Sequence, residues 1–256
     1  MGSEAPRPKD YVSRVKRPSP WSLSLSVGLR LLDPLLQHAI MTRGLGSSLI
    51  RLCGAKTLPM VATTNTNALG LAPYQMAMFS LAVGATLSET FWILYILREE
   101  MLAGQAVSIA AFNTINNSLN TLLSMCVLTS AMDAYGDLES LLQSPALVFG
   151  TIIYVIGMLL QTVSELQRRS FKKDPANEGK PYGGGLFSVA THVNFGGYTL
   201  WRTGYAMASA GWGWAAVSNA WFIYDFTTRG MPVLENYSRQ KVSPLRGYFA
   251  VFGRLA

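Results

Sequence analysis

Five long apolar stretches, separated by polar loops, dominate the pattern of hydrophobic and polar positions along this chain. They run over residues 73–97, 106–130, 145–163, 184–209 and 211–227. A helix needs about 20 apolar residues to cross the hydrocarbon core of a bilayer, and each stretch is near that length. Glycines at 196–197 and 211 mark expected breaks in the last two. The pattern predicts an all-α fold, a polytopic transmembrane helical bundle of about five to six spans.

The segment 21–41, WSLSLSVGLRLLDPLLQHAIM, is apolar but interrupted. It carries a base, an acid, a proline and a histidine: Arg30, Asp33, Pro34 and His38. The sequence leaves two interpretations open, an imperfect spanning helix or a helix lying in the membrane interface. Residues 1–20 before it are polar and predict a flexible basic tail, whereas residues 42–72 after it predict a loop rich in Gly, Thr, Asn and Pro.

Composition favours a membrane protein over a soluble one. Half of the 256 residues are apolar, only 14% are charged, and the mean hydropathy is +0.24. The net charge of +7 gathers in the N-terminal tail, in loop 164–183 and at the C-terminus. On a membrane protein such clusters mark the cytosolic side, and no basic–aromatic motif indicates nucleic acid. The cysteines, Cys53 and Cys126, have neither zinc spacing nor a disulfide framework, so no metal is expected.

The segment 164–197, SELQRRSFKKDPANEGKPYGGGLFSVATHVNFGG, carries the strongest chemical pattern. It leaves the predicted span 145–163 with five bases, passes three consecutive glycines, and re-enters an apolar stretch with His192 and Asn194. Bases and closely approaching glycines at a membrane surface are suited to a phosphate-bearing molecule. The alternative is a cytosolic loop whose bases only set the topology and whose glycines only form a turn.

The order of these residues resembles the C-terminal domain of the steroid 5-alpha-reductase superfamily. The matching elements are an acid-x-Gln-base-x-x-Phe-base run at 165–172, Pro-x-Asn-x-Gly-Lys at 175–180, Gly-Leu-Phe at 185–187 and His-x-Asn-Phe-Gly at 192–196. The superfamily includes sterol reductases, enoyl reductases of fatty-acid elongation and isoprenylcysteine carboxyl methyltransferases. This chain is most similar to its uncharacterised branch. The resemblance implies a C-terminal domain at 145–256, preceded by an N-terminal transmembrane region at 21–144.

The resemblance also implies a cytosol-facing pocket for NADPH. Ten residues are the expected cofactor contacts: Gln167, Arg168, Lys172, Asn177, Lys180, His192, Asn194, Phe195, Glu235 and Lys241. Arg168 and Lys172 would meet phosphates, and His192 and Asn194 would hydrogen-bond the cofactor. Glu235, Lys241 and Tyr248 correspond to the closing segment of the family domain.

The chain departs from the family signature, which reads Arg-His-Pro-Asn-Tyr-Phe-Gly-Glu or a near variant, at several positions. Phe195 stands for its Tyr and Gly196 for its Phe, and two further departures carry more weight. Thr191 stands where the signature has its Arg, and Tyr198 stands where it has its final Glu. Thr191 removes a cation that would contact the cofactor. Arg202 lies about three helical turns later, too far to replace the missing base simply.

Two further polar features fall inside predicted spans. Four asparagines, Asn113, Asn116, Asn117 and Asn120, share one helix face at i, i+3, i+4 and i+7. They predict either a hydrogen-bonded seam between helices or the polar wall of a substrate cavity. Glu89 lies in the middle of the span 73–97. It is a weak catalytic candidate, as a proton donor after hydride transfer, or else an acid in a helix seam.

Three hypotheses for the function follow. The first is a membrane-embedded reductase of the endoplasmic reticulum that uses NADPH to reduce a carbon–carbon double bond of a lipophilic sterol, isoprenoid or fatty substrate. The second is a methyltransferase of the same superfamily that uses S-adenosylmethionine, and the third is a non-catalytic multi-pass protein that keeps the fold. Five bases in the loop favour a phosphorylated cofactor, whereas Thr191 and Tyr198 favour the third hypothesis. Besides the bilayer, the expected partner is a lipophilic small molecule and not nucleic acid.

Overall fold

The computed structural model describes residues 15–58, 67–131, 138–178 and 180–235, and in these ranges the chain is helical without a β-strand. Seven α-helices follow one another: α1 (Pro20–Arg43), α2 (Ser47–Leu52), α3 (Pro73–Phe91), α4 (Ala103–Ser124), α5 (Leu138–Gln143), α6 (Pro145–Phe171) and α7 (Val193–Asp225). Single π-helical turns extend α3 over Trp92–Ile96 and α7 over Phe226–Gly230, and short 3-10 turns lie at Pro175–Asn177 and Gly185–Ser188. The all-α prediction is therefore confirmed for the described part of the chain.

Two of these helices are long and apolar enough to cross a membrane. They are Pro73–Ile96, with 24 residues, and Pro145–Phe171, with 27 residues. Both begin with proline, which suits the first helical turn because its missing N–H would have no partner there. The predicted spans 73–97 and 145–163 thus form continuous apolar helices. The total of about five to six spans, the cytosolic pocket and the orientation stay predictions.

The interrupted segment 21–41 folds as part of the single helix α1. Three polar side chains on one face, Arg30, Asp33 and Gln37, are completely or almost completely buried, and α1 packs against α4 and α3. The opposite face exposes leucines such as Leu31 and Leu35. Because the charged face points into the bundle rather than away from it, this arrangement favours a helix packed among the others over one lying in the membrane interface.

Helices α6 and α7 pack antiparallel at very close range, and glycines make the approach possible. Gly150 and Gly157 on α6 face Gly204 and Gly197 on α7, respectively. A Cβ atom added at Gly150 would lie 2.5 Å from the backbone nitrogen of Ala208, and one at Gly197 would lie 2.5 Å from that of Gln161. Side chains at these positions would push the two backbones apart. The prediction of a break at 196–197 is wrong, because both glycines lie inside a continuous helix, where Gly197 serves the packing against α6.

The predicted break at Gly211 is confirmed. Ala210 and Gly211 leave helical geometry, and Gly211 takes a φ of 72°, which favours glycine. The two halves of α7 fold back on each other, since the rings of Phe195 and Phe226 stack at 4.7 Å and Asn219 Nδ2 donates to Thr203 Oγ1 at 3.1 Å. The start of the apolar stretch 184–209 is not α-helical, because α7 begins only at Val193.

Candidate functional site

The antiparallel packing of α6 and α7 places the end of α6 beside the start of α7, which unites residues from both halves of the predicted site. Glu165, buried near the end of α6, accepts a hydrogen bond from Asn194 Nδ2 at 2.9 Å. The same carboxylate forms an ion pair with Arg168, one turn later. Asn194 and Arg168 are therefore brought together through Glu165, which the sequence pattern included as part of the helix-exit motif. We refer to this end of the α6–α7 pair as the end site.

His192 immediately precedes α7 and begins a stack of three aromatic rings. Its imidazole lies 5.7 Å from the ring of Phe195, nearly parallel, and Phe195 in turn stacks on Phe226. The Nε2 atom is 3.8 Å from a carboxylate oxygen of Glu235. The Nδ1 atom is buried and has no hydrogen-bond partner among the described residues. A buried ring nitrogen without a partner has spare capacity for a ligand.

Two predicted contacts, Gln167 and Asn177, hold the loop backbone. Gln167 Oε1 accepts from the backbone N–H of Leu186 at 2.9 Å, which ties the Gly185–Ser188 turn to α6. Asn177 Nδ2 donates to the carbonyl oxygen of Phe171 at 3.1 Å and so satisfies a carbonyl at the end of α6. Both side chains shape the loop, and a cofactor contact from either stays a prediction.

The basic side chains of the loop differ in their contacts and in their exposure. Arg168 is paired with Glu165, and Arg169 donates to the carbonyl oxygen of Tyr95 and stacks over its ring at 4.0 Å. Lys172 and Lys180 are exposed. Segment 164–183 contains five bases and three acids, so its net charge is only +2. Lys241 and Tyr248, predicted for the closing segment, and Gly179 of the turn lie outside the described residues.

A second polar region, in the middle of the bundle, is built around Glu89 of α3. Arg30 Nε of α1 lies 2.7 Å from Glu89 Oε2, and Arg202 Nη2 of α7 donates to Glu89 Oε1 at 3.0 Å. Asp33 Oδ2 lies 3.5 Å from Arg30 Nη1. Two bases and two acids balance within this region, which we call the core network. Glu89 thus lies in an ion-pair network, and its part in proton transfer stays a prediction.

Three of the four asparagines on α4 form hydrogen bonds with side chains of other helices, in the core network or beside it. Asn117 Nδ2 donates to Asp33 Oδ2 at 2.6 Å and its oxygen accepts from Arg202 Nη1 at 3.1 Å. Asn113 also accepts from Arg202, and Asn120 accepts from Trp214 Nε1 at 2.7 Å. Asn116 is half-buried, and among the described residues its Nδ2 donates to the carbonyl oxygen of Phe112 on its own helix. The prediction of a hydrogen-bonded seam is confirmed for Asn113, Asn117 and Asn120.

Tyr198 connects the core network with the end site. Its hydroxyl accepts from Arg202 Nε at 3.1 Å and donates to Asn113 Oδ1 at 3.2 Å. Its ring packs edge-on against Phe226, at 5.7 Å, and Phe226 belongs to the aromatic stack of the end site. This residue, which replaces the signature's Glu, therefore serves the core network. The other departure, Thr191, is exposed next to His192.

The sequence pattern had not assigned Arg30, Asp33 and Arg202 to any site. The signal that identifies them is the presence of charged residues inside apolar segments, which in a membrane protein are expected to pair with one another. Their partners could not be assigned, because Arg202 and Glu89 are 113 positions apart and meet only through tertiary packing.

The chain is similar to one family of proteins and to a named relative. The family described as "Protein of unknown function (DUF1295)" matches residues 96–251. A protein named "Probable O-methyltransferase ustE", from Ustilaginoidea virens, is 34% identical over 241 residues, which cover 92% of this chain and 84% of the relative. No solved structure matches the chain. The family match includes the end site and Arg202, whereas the aligned relative extends over almost the whole chain.

Proposed function

We propose that this chain, which belongs to the DUF1295 family, is a membrane-embedded O-methyltransferase. In this proposal it takes a methyl group from S-adenosylmethionine and transfers it to an oxygen atom of a lipophilic small molecule. The observation that carries the proposal is the 34% identity to a protein named a probable O-methyltransferase, because it extends over 92% of the chain. The sequence pattern favoured an NADPH-dependent reductase and kept a methyltransferase as an alternative, and the relative reverses that order.

The end site suits a positively charged cofactor of this kind. S-adenosylmethionine, when bound, supplies an electrophilic methyl group on a sulfonium centre. The stacked rings of His192, Phe195 and Phe226 can contact such a cation, since aromatic faces attract positive charge. The half-exposed carboxylate of Glu235 adds negative charge at the same end of the bundle, where that of Glu165 is already paired with Arg168. The buried Nδ1 of His192, which has no partner among the residues that the structure describes, can hydrogen-bond the cofactor.

The chain's own contribution would be to bind, to orient and to exclude water. Asn194, held by Glu165 at 2.9 Å, is a fixed amide near the start of α7. Transfer to an oxygen needs the acceptor oxygen close to the methyl group and in line with its bond, so positioning is the main task of the protein. An apolar acceptor would approach from the bilayer, in keeping with the apolar helices Pro73–Ile96 and Pro145–Phe171.

The second candidate function is the NADPH-dependent reduction of a carbon–carbon double bond in a lipophilic substrate. Exposed bases at the loop, among them Lys173 and Lys180, favour it because they are suited to phosphates. The pairing of Arg168 with Glu165 weighs against it, since a phosphate would have to compete with an existing carboxylate. In this candidate the residues bind and orient the nicotinamide, which would supply the hydride chemistry.

Cofactor titrations of the purified protein in detergent distinguish these functions. We expect saturable binding of S-adenosylmethionine, measured by calorimetry, and a loss of affinity of at least about tenfold in His192→Ala, equivalent to about 1.4 kcal/mol. His38→Ala is the matched control, because it removes the chain's other histidine, which bonds the carbonyl oxygen of Leu69. We expect that variant to bind as the unmodified chain does.

Other outcomes of the titrations would select another function. Binding of NADPH alone, weakened by His192→Ala, would reject the methyltransferase in favour of the reductase. Binding of neither cofactor by folded protein would reject both enzymes and favour a non-catalytic membrane protein. Transfer of radiolabel from the methyl donor into an apolar extract of native membranes, dependent on the chain, would support the O-methyltransferase.

A further inference from the structure

An open apolar groove runs along the outer surface between α3 and α6. Its volume is about 370 Å³, and seven residues line it: Gly84, Ser88, Phe91, Tyr154, Met158, Leu159 and Thr162. Both helices are long and apolar enough to span a membrane. Phe91 and Leu159 of the groove are exposed, so the groove opens outward, on the side where lipid would lie, rather than toward the core network. Only glycine fits at position 84 without displacing a neighbour, because a Cβ atom there would lie 2.6 Å from the hydroxyl oxygen of Tyr154.

Arg169 lies beyond one end of this groove. It is seven residues, or two turns and about 10 Å, further along α6 than Thr162, on the same face of the helix. Phe91 of the groove stacks on Tyr95 at 5.2 Å, and the Arg169 guanidinium lies 4.0 Å above the Tyr95 ring. The groove and the guanidinium are thus joined through Phe91 and Tyr95.

The guanidinium of Arg169 has hydrogen-bonding capacity left. One Nη donates to the carbonyl oxygen of Tyr95, and Nε is buried and cannot meet a headgroup, but the side chain as a whole is only partly buried, so part of the guanidinium faces outward. Glu100, a nearby acid on the chain after Tyr95, is engaged by Arg17 at 2.5 Å. An arginine with free donors matches the geometry of a phosphate group.

We propose that this groove is a binding site for an anionic phospholipid of the surrounding bilayer. One acyl chain lies against the apolar walls between α3 and α6, and the phosphate group contacts Arg169. A base at the membrane surface between spanning helices is the arrangement that binds anionic headgroups. The apolar lining suits the acyl chain of the lipid, and the position of Arg169 beyond one end of the groove suits the negative charge of its headgroup. This site is separate from the end site and independent of the proposed function.

Lipid preference in nanodiscs tests the proposal. The full chain is reconstituted with spin-labelled phosphatidylglycerol or with spin-labelled phosphatidylcholine of the same acyl chains, and the immobilised fraction is measured by electron paramagnetic resonance. We expect a preference of about fivefold for phosphatidylglycerol, the effect of one basic residue at a membrane surface. Arg169→Gln should remove the preference, and Arg169→Lys should keep part of it. Lys173→Gln, an exposed base in the loop after α6, should leave it unchanged.

A second pair of variants tests the groove itself. Leu159→Trp fills it, whereas Ile152→Trp places the same side chain at another exposed position of α6 outside it. We expect Leu159→Trp to lower the immobilised fraction for both lipids and Ile152→Trp to lower neither. Equal losses from Lys173→Gln and Arg169→Gln would indicate only general surface charge and overturn the proposal. An unchanged fraction in folded Leu159→Trp, or displacement of the lipid by a spin-labelled sterol, would also overturn it.

Discussion

The core network and the end site are both polar regions in an apolar bundle, but they use their polar atoms differently. In the core network, each charged side chain from α1, α3 and α7 has a partner of opposite charge, and asparagines of α4 add hydrogen bonds, although Arg30 Nη2 has no hydrogen-bond partner among the described residues. In the end site, Nδ1 of His192 has no hydrogen-bond partner in the described part of the chain, and Glu235 is half-exposed beside it. The pairing of its charges inside the bundle indicates that the core network serves the fold, whereas the end site is partly exposed and can admit a ligand.

Physical cost explains why each charged side chain of the core network has a partner of opposite charge. A charged side chain inside a membrane is expensive unless a partner and further hydrogen bonds compensate it. Arg202 meets this condition with contacts to Glu89, Asn117 and Tyr198, and its guanidinium also lies 4.2 Å above the ring of Trp201. The end site lies at the end of helices and carries less of this cost, so its groups need not all be paired.

The largest effect is expected from breaking the core network. Arg202→Met should lower the free energy of unfolding by about 3–5 kcal/mol, because it leaves Glu89 short of one partner in a buried position. Unfolding by denaturing detergent, followed by circular dichroism, measures the loss. Arg229→Met is the matched control, since Arg229 forms an exposed ion pair with Asp225, and such pairs contribute about 0–1 kcal/mol. Equal losses in the two variants would contradict a structural role for the core network.

A smaller loss of stability should follow when the packing of α6 against α7, which supports both regions, is disturbed. Gly157→Val should cost about 3 kcal/mol, because the new side chain would meet the backbone of α7 and separate the two helices. Gly196→Val is the control, with no atom near an added Cβ and the same helix propensity change. Because α6 and α7 also position the end site, Gly157→Val should weaken cofactor binding as well. If Gly157→Val lost stability but bound the cofactor as before, the end site would not depend on this contact between α6 and α7.

These comparisons also show how far the sequence could predict the fold. The seam of Asn113, Asn117 and Asn120 followed from helical periodicity, because spacing along one helix fixes which side chains share a face. Gly197 was misassigned because glycine marks both helix breaks and close helix contacts. The seven-residue spacing of Gly150 and Gly157, repeated by Gly197 and Gly204, is the feature that separates the two cases.

The candidate site was predicted less completely than the fold. The motif placed His192 and Asn194 together, and the structure adds Glu165 as the group that Asn194 contacts. The pairing of Arg168 with Glu165 could not be inferred, because a sequence motif does not show whether a base faces a ligand or a neighbouring acid. Choices of that kind depend on tertiary packing, as does the meeting of Arg30 with Glu89 across separate helices.

The smallest expected effect concerns Tyr198, which contacts both regions. Tyr198→Phe keeps the ring against Phe226 but removes the hydroxyl that accepts from Arg202 Nε, so it should cost about 1–2 kcal/mol of stability. Cofactor affinity should change by less than about twofold, or about 0.4 kcal/mol, because the aromatic stack of the end site is preserved. Denaturing-detergent unfolding and calorimetric titration of the same preparation measure the two quantities. A loss of affinity as large as that of His192→Ala would instead mean that the hydroxyl belongs to the ligand site, and that the core network and the end site act as one.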